Sequence, residues 1–267
     1  LLDDGGALYR TLIEPLAIAA LNTPPDEGLA RLLGRVVRET LMQGGAACLP
    51  RVPRIGLSES FVDPAIAFIE ARGGRLLTGR RVSTLRIARD RVAALETADG
   101  AQDVDDVVLA VPPPVAADLL PGLSVPQAYC AILNIHFRAE AAPGPAGFVG
   151  VIGGTAEWVF IKPGIVSVTI SAANRLVDLP AGDIAARVWP DVCAALDLSG
   201  AMPAWRVVKE KRATFAATAA EETRRPGART PLRNLALAGD WTATGLPATI
   251  EGAVRSGRAA ADLLLAR

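Results

Sequence analysis

The stretch LALAGDWTATGLPATIEGAVRSG, residues 235–257, constrains this chain more than any other. It opens as a short continuous apolar run, the pattern of a strand covered on both faces. The run stops at Gly239 and Asp240, small and apolar residues follow, and an amphipathic pattern begins behind Pro247. Pro247 suits the first helical position, with Leu246 near the cap, because the first turn leaves its N–H groups unpaired and proline has none to lose. Ile250, Ala253, Val254, Gly257, Ala261 and Leu264 recur on one face and predict the buried side, while Arg255 and Arg258 point away. Gly252 and Gly257 each cost a helix about 1 kcal/mol relative to alanine, so close packing against that helix is expected.

The rest of the chain alternates between periods. Residues 8–21 carry helix-compatible apolar positions. In NTPPDEGLARLLGRVVRETLMQGG, Thr23 reads as an N-cap, Pro24 as the first helical residue, and Leu29, Leu32, Leu33, Val36 and Val37 as one stripe ended by Gly44 and Gly45. A further helix is expected within 58–72. From Arg75 the period becomes two, and RLLTGRRVSTLRIARDRVAALETADG predicts a β-meander with turns near Asp90 and Asp99. The run VDDVVLAVPPP then reads as a buried strand stopped by prolines. Strands are expected in YCAILNIHFRAE, GFVGVIGGTAEWVFIKPG, IVSVTISAA and AWRVVKEKRATFA, with a helix over 181–197 and a polar loop in AATAAEETRRPGARTPLRN.

Composition narrows the function classes. Of 267 residues, 51% are hydrophobic, enough for a large core. Lys+Arg and Asp+Glu are equal at 28, so no net field favours nucleic acid or an acidic surface. Cys48, Cys130 and Cys193 form no CxxC pair and there is 1 histidine, which argues against a metal site and for a reducing, cytoplasmic setting. No uncharged apolar run is long enough to span a membrane, and no leader pattern is visible.

Asp240 is the residue with chemistry to explain. The loop after it delivers a carboxylate and the free amide donors of a helix N-terminus to one place. A carboxylate repels phosphate, so its natural partners are hydroxyls. A flavin meets both requirements, with ribityl hydroxyls beside a pyrimidine ring that becomes anionic on reduction; an aspartate capping a turn meets the sequence equally well. His136 lies in AILNIHFRA, where Ile132, Asn134 and His136 share one face and Leu133, Ile135 and Phe137 the other. It reads first as a satisfied structural histidine, since no Ser or Cys motif accompanies it. Trp158 and Phe160 share a strand face and either line a long apolar cavity or pack in the core. Lys209, Glu210, Lys211 and Arg212 read as a solvated strand edge.

The segment LALAGDWTATGLPATIEGAVRSGRAAADLL resembles the C-terminal FAD-binding segment of the flavin amine oxidase and phytoene desaturase superfamily. With EPLAIAALNTPP, RETLMQGGAACLPRVPRIGLSESFVDPAIAFIEARGG and VVKEKRATFAAT, the wording is similar to the squalene-associated FAD-dependent desaturases, also called hydroxysqualene dehydroxylases. The resemblance implies an α/β fold with α+β character, two domains and an amine oxidase-like arrangement. Residues 61–115 and 230–267 would complete the FAD domain, and 1–60 with 116–229 would form the substrate domain. It further implies FAD as cofactor, with Asp240 on the ribityl chain, Gly239 giving room for close approach and Trp241 beside it. Gly245, Leu246, Pro247, Ala248, Thr249 and Ile250 would present backbone to the pyrimidine edge, Val82 would lie beside the adenine, and Pro112 would run near the cofactor. Phe137, Trp158 and Phe160 would face the substrate, a long isoprenoid.

The implied reaction is reductive removal of the hydroxyl of hydroxysqualene to give squalene, in hopanoid formation, with no protein acid–base pair identified and no metal. Carotenoid desaturation and amine oxidation are the alternatives on the same fold. Such proteins open with a G-x-G-x-x-G turn that holds the pyrophosphate. Here no two glycines are separated by a single residue and no initiator Met is present. The expectation is therefore a C-terminal portion truncated at the N-terminus, and a non-catalytic fragment unable to hold FAD alone is the reading from a different class. An apolar substrate admits peripheral contact with the inner membrane.

Overall fold

The computed structural model describes residues 6–53 and 55–266; the opening LLDDG stretch lies outside them. Helix α1 (Glu14–Leu21), continuous with a π-helical turn over Tyr9–Ile13, ends on Asn22 in the left-handed conformation. Helix α2 (Ala30–Glu39) starts later than the sequence predicts. Thr23 is no cap: its buried hydroxyl instead accepts the Ala217 N–H at 2.8 Å and donates to Leu21 O at 3.0 Å. Tertiary demand from the Ala217 amide wins over local capping at this position. Helix α3 (Asp63–Glu70) follows, preceded by its own π turn over Ser58–Val62.

The meander forms as β1 (Thr84–Ala88), β2 (Arg91–Thr97) and β3 (Gly100–Asp103), antiparallel throughout. Residues 75–83, expected to extend it, are irregular. Next come β4 (Val107–Leu109) and a short helix α4 (Pro113–Leu119) that the proline run begins rather than forbids: Pro112 is its N-cap and Pro113 its first residue. Strands β5 (Tyr129–Phe137), β6 (Phe148–Gly150), β7 (Trp158–Lys162) and β8 (Ile165–Ile170) precede helix α5 (Ala181–Leu196). Strand β9 (Trp205–Phe215), the short helix α6 (Ala219–Glu222), β10 (Leu235–Leu237) and helix α7 (Ile250–Leu265) complete the chain.

Two main cores result. In the first, the 5-stranded sheet β6-β7-β8-β5-β9 lays Leu133, Ile135, Val166, Val168 and Ile170 against Ile184, Val188 and Val192 of α5. The second joins segments distant in sequence: Leu85 and Val92 of the meander, Leu109, Leu119 of α4, Phe215, Leu235, Leu237 and Trp241. Asn234 binds these parts together, accepting the Val92 N–H at 2.8 Å and donating to Val92 O at 2.9 Å and Asp105 O at 2.7 Å. A buried amide side chain thus fastens β2 to the start of β10.

Candidate cofactor site

The site begins with a parallel pair. Leu235, Ala236 and Leu237 are all buried and stand opposite Val107, Val108 and Leu109 of β4. Because the strands run the same way in register, their carboxyl ends open into a common crevice, where ligands of α/β sheets bind. Val111, Pro112 and Pro113 leave β4 there, and Gly239, Asp240 and Trp241 leave β10. Together with Tyr129, Thr214 and Phe215 they line a cavity of about 340 Å³.

The Asp240 carboxyl is half-buried in this crevice. Burial pushes its pKa above the ordinary carboxylate range, opposed by the backbone N–H of Trp241, the Arg225 charge and its own N–H. Asp240 therefore sits where water is scarce, and a carboxylate with about four lone-pair sites retains capacity for hydroxyl donors. Trp241 is 2% exposed and donates its indole N–H to Val111 O at 3.0 Å, tying the two strand ends together. Gly239 has φ +139°, and a Cβ there would meet the Trp241 Nε1 at 2.4 Å. The glycine is thus demanded by the indole in the first instance, not only by an approaching ligand. Its N–H donates to Ser256 Oγ of α7 at 2.7 Å.

Arg225 holds the loop in shape. Its guanidinium is completely buried and donates to Trp241 O at 3.3 Å, Asp240 O at 3.1 Å, Thr244 Oγ1 at 3.3 Å and the carbonyl of Thr242. It also pairs with Glu222 at 2.7 Å and lies 4.7 Å from the centroid of the Phe215 ring. The sequence reading put this arginine in a polar loop. The signal available there was the T-x-x-E pattern of Thr218 and Glu221, of which the Thr218 hydroxyl caps α6 by accepting the Glu221 N–H at 3.3 Å, while the Glu221 carboxylate accepts the Gln127 N–H instead. Nothing local marks the arginine four positions on as the buried one.

The helix beyond the loop differs from expectation in two ways. Its N-cap is Thr249, whose hydroxyl accepts the Gly252 N–H at 3.0 Å, so Pro247 lies outside the helix. A hydroxyl that satisfies an orphan donor outweighs the preference of proline for the first turn. The buried face is Gly252, Ser256 and Ala260, whereas Ile250 and Val254 are 56% and 60% exposed. Small residues face inward because β10 lies close behind them. Close packing accounts for Gly252, where a Cβ would come within 3.2 Å of Pro247 O, but not for Gly257, which has open space.

The expected cofactor residues are therefore only partly assembled in one place. Pro112, Gly239, Asp240 and Trp241 line the crevice. Leu246 and Pro247 are buried, Ala248 and Thr249 half-buried, and Ile250 exposed. Gly245 lines a second, larger cavity of about 700 Å³ beside Arg31, Arg35 and Arg38 of α2. Ion pairs to Glu222 and Glu39 already engage Arg31 and Arg35 there, so the smaller crevice is the better cofactor candidate. Val82 packs against the second core and lines neither cavity.

Phe137 must be withdrawn from the substrate-facing set. It is fully buried in the first core, 4.9 Å from Trp189 of α5, because its strand face is the one the helix covers. Trp158 and Phe160 are half-buried on the opposite face with Phe148, whose ring centroid lies 5.8 Å and 5.7 Å from theirs. His136 shares that face, its Nδ1 2.8 Å from Ser167 Oγ. Burial, then the Arg206 charge, lowers its pKa and keeps the ring neutral at ordinary pH.

Residues 3–265 match the family described as flavin containing amine oxidoreductase. A protein named hydroxysqualene dehydroxylase from Rhodopseudomonas palustris is 53% identical over 98% of this chain, and one of the same name from Sinorhizobium fredii is 49% identical over 97%. The chain spans 63% of the length of each. An oxidoreductase from Methanosarcina mazei shares the fold at a TM-score of 0.66 and 18% identity, over 92% of this chain and 63% of that one. The chain belongs to the flavin containing amine oxidoreductase family.

Proposed function

We propose that this chain supplies the ribityl side of an FAD site and the isoprenoid-binding part of an enzyme that reductively removes the hydroxyl of hydroxysqualene to give squalene. The observation that carries the reading is the crevice in which the half-buried Asp240 meets Val111, Pro112 and Gly239 at the ends of two parallel strands. The similarity to hydroxysqualene dehydroxylases narrows it to this substrate.

The residues present fit a flavin on that side. Asp240 would take the ribityl hydroxyls as a desolvated acceptor, and Pro112 and Trp241 would wall the crevice against water. Arg225 would keep the backbone at 240–244 in its binding shape. These 267 residues carry no G-x-G-x-x-G turn, the usual cradle of the diphosphate, so the fit concerns the ribityl side alone. When bound, reduced flavin would supply the hydride that replaces the hydroxyl, which leaves as water with a proton from solvent, and the residues of this chain would hold and orient the substrate. Residues 61–115 and 230–267 would serve the cofactor, and 1–60 with 116–229 the substrate. An apolar substrate would be drawn from a bilayer by peripheral contact; among the described residues no helix is long and apolar enough to cross a membrane.

The test supplies the protein with hydroxysqualene and reduced FAD and follows products by mass spectrometry. Squalene is the expected product; its absence while FAD is demonstrably bound rejects the assigned reaction.

A further inference from the structure

The sheet face turned away from α5 has an unusual composition for a half-buried surface. Strand registry sets Phe160, Ser167 and His136 in one row across β7, β8 and β5, and Trp158, Thr169 and Asn134 in the next. All six side chains are half-buried. None carries a fixed charge, while Lys162, Arg206 and Glu210 stand at the ends of β7 and along the exposed edge strand β9. A face meant only for water carries charged residues throughout; this one is aromatic and neutral-polar inside a charged rim.

The polar groups form two pairs. Ser167 Oγ lies 2.8 Å from His136 Nδ1, and Thr169 Oγ1 donates to Asn134 Oδ1 at 2.9 Å. Donor counting shows what remains. A neutral imidazole and a serine bring two N–H or O–H donors, and their mutual bond uses one. Whichever tautomer holds, one donor stays free, on Nε2 or on the serine hydroxyl. In the second pair the Asn134 Nδ2 donors are not engaged by the Thr169 bond. Neighbouring strands lie about 4.8 Å apart, so each pair sits beside an aromatic ring, Ser167 next to Phe160 and Thr169 next to Trp158.

We propose that this face binds the hydroxyl-bearing segment of a long isoprenoid alcohol, with the His136–Ser167 and Asn134–Thr169 pairs receiving the hydroxyl and Trp158 and Phe160 holding the flanking hydrocarbon. This rests on the reading of the substrate as a hydroxylated isoprenoid. It makes the two pairs the determinants of alcohol over hydrocarbon: a site built to hydrogen-bond a hydroxyl discriminates against the analogue lacking it, because its polar groups are then left unpaired.

The experiment compares binding of hydroxysqualene and squalene to the whole chain by quenching of tryptophan emission, Trp158 lying on the face itself. Roughly three- to tenfold preference for the alcohol is expected, the range one net hydrogen bond sustains. The double variants H136F/S167A and N134L/T169V are expected to lower or abolish the preference while still binding squalene, which also shows that they fold. Equal binding of both ligands by the unaltered chain overturns the inference, as does a preference that survives both variants, or no binding of either ligand. Squalene formation by the FAD-loaded protein is read separately, so the reaction assignment can stand when the hydroxyl site falls, and the reverse.

Discussion

Asp240 shows how one side chain can serve a ligand at the expense of its own fold. Burial raises its pKa, so the folded chain holds the neutral carboxyl more readily than the unfolded chain does. The associated stability is full below the unfolded carboxylate pKa and is lost as pH rises through the folded value. At neutral pH the ionised group therefore works against folding. Asp240→Asn is expected to raise the melting temperature at pH 7 and to converge with the parent in acid, read from thermal melts across pH. The opposite sign is expected for the cofactor. Asp240→Ala removes charged hydrogen bonds to a polyol, which contribute about 1.5–3 kcal/mol, so FAD affinity in a flavin titration should fall about 10- to 150-fold. Unchanged affinity would remove Asp240 from the site. That the residue mattered was readable from its place after a buried strand, but its degree of desolvation depended on Pro112 and Trp241 closing around it.

The loop between β10 and α7 is ordered by contacts at its two ends. Arg225 is a buried cation serving several carbonyls and Glu222, and removing one partner of a buried pair costs about 3–5 kcal/mol. Arg225→Met is expected to lower stability on that scale in denaturant melts. Arg225→Lys should recover little, because an ammonium cannot reproduce the fork of the guanidinium. At the other end, Thr249→Ala should cost about 1 kcal/mol through the lost cap, and Pro247→Ala should leave the start of α7 in place. A circular-dichroism melt series that ranked the two the other way would restore Pro247 as the first helical residue. The sequence reading marked Pro247 as the terminus signal, with Leu246 near the cap, and gave Thr249 no capping role. Local pattern ranks such signals by residue type, whereas the finished helix starts where a hydroxyl actually reaches an amide.

Across the whole molecule, the second core is assembled from segments more than a hundred residues apart, and Asn234 is its polar fastener. Asn234→Ala would take away the partner of both the Val92 N–H and the Val92 carbonyl, and leave Asp105 O with the Arg91 guanidinium at 3.1 Å as its remaining donor. Each orphaned buried group costs about 1–3 kcal/mol, so this substitution should destabilise more than truncation of any single exposed apolar residue, measured by chemical denaturation. The meander, the strands of the larger sheet, α5 and the strand–loop–helix unit at the end were all legible, because their periods of 2 and 3.6 are local properties of the chain. The sequence by itself determined which residues share a face: Asn134 with His136, Leu133 with Phe137, Leu235 with Leu237. Only the tertiary structure decided what covers each face, since coverage depends on elements far away in the chain. It put α5 over Phe137, left His136 on the opposite face that Trp158 and Phe160 share, and buried Arg225 beneath the Asp240 loop. Periodicity is fixed by backbone geometry and survives in any context; burial is a property of the partners that arrive.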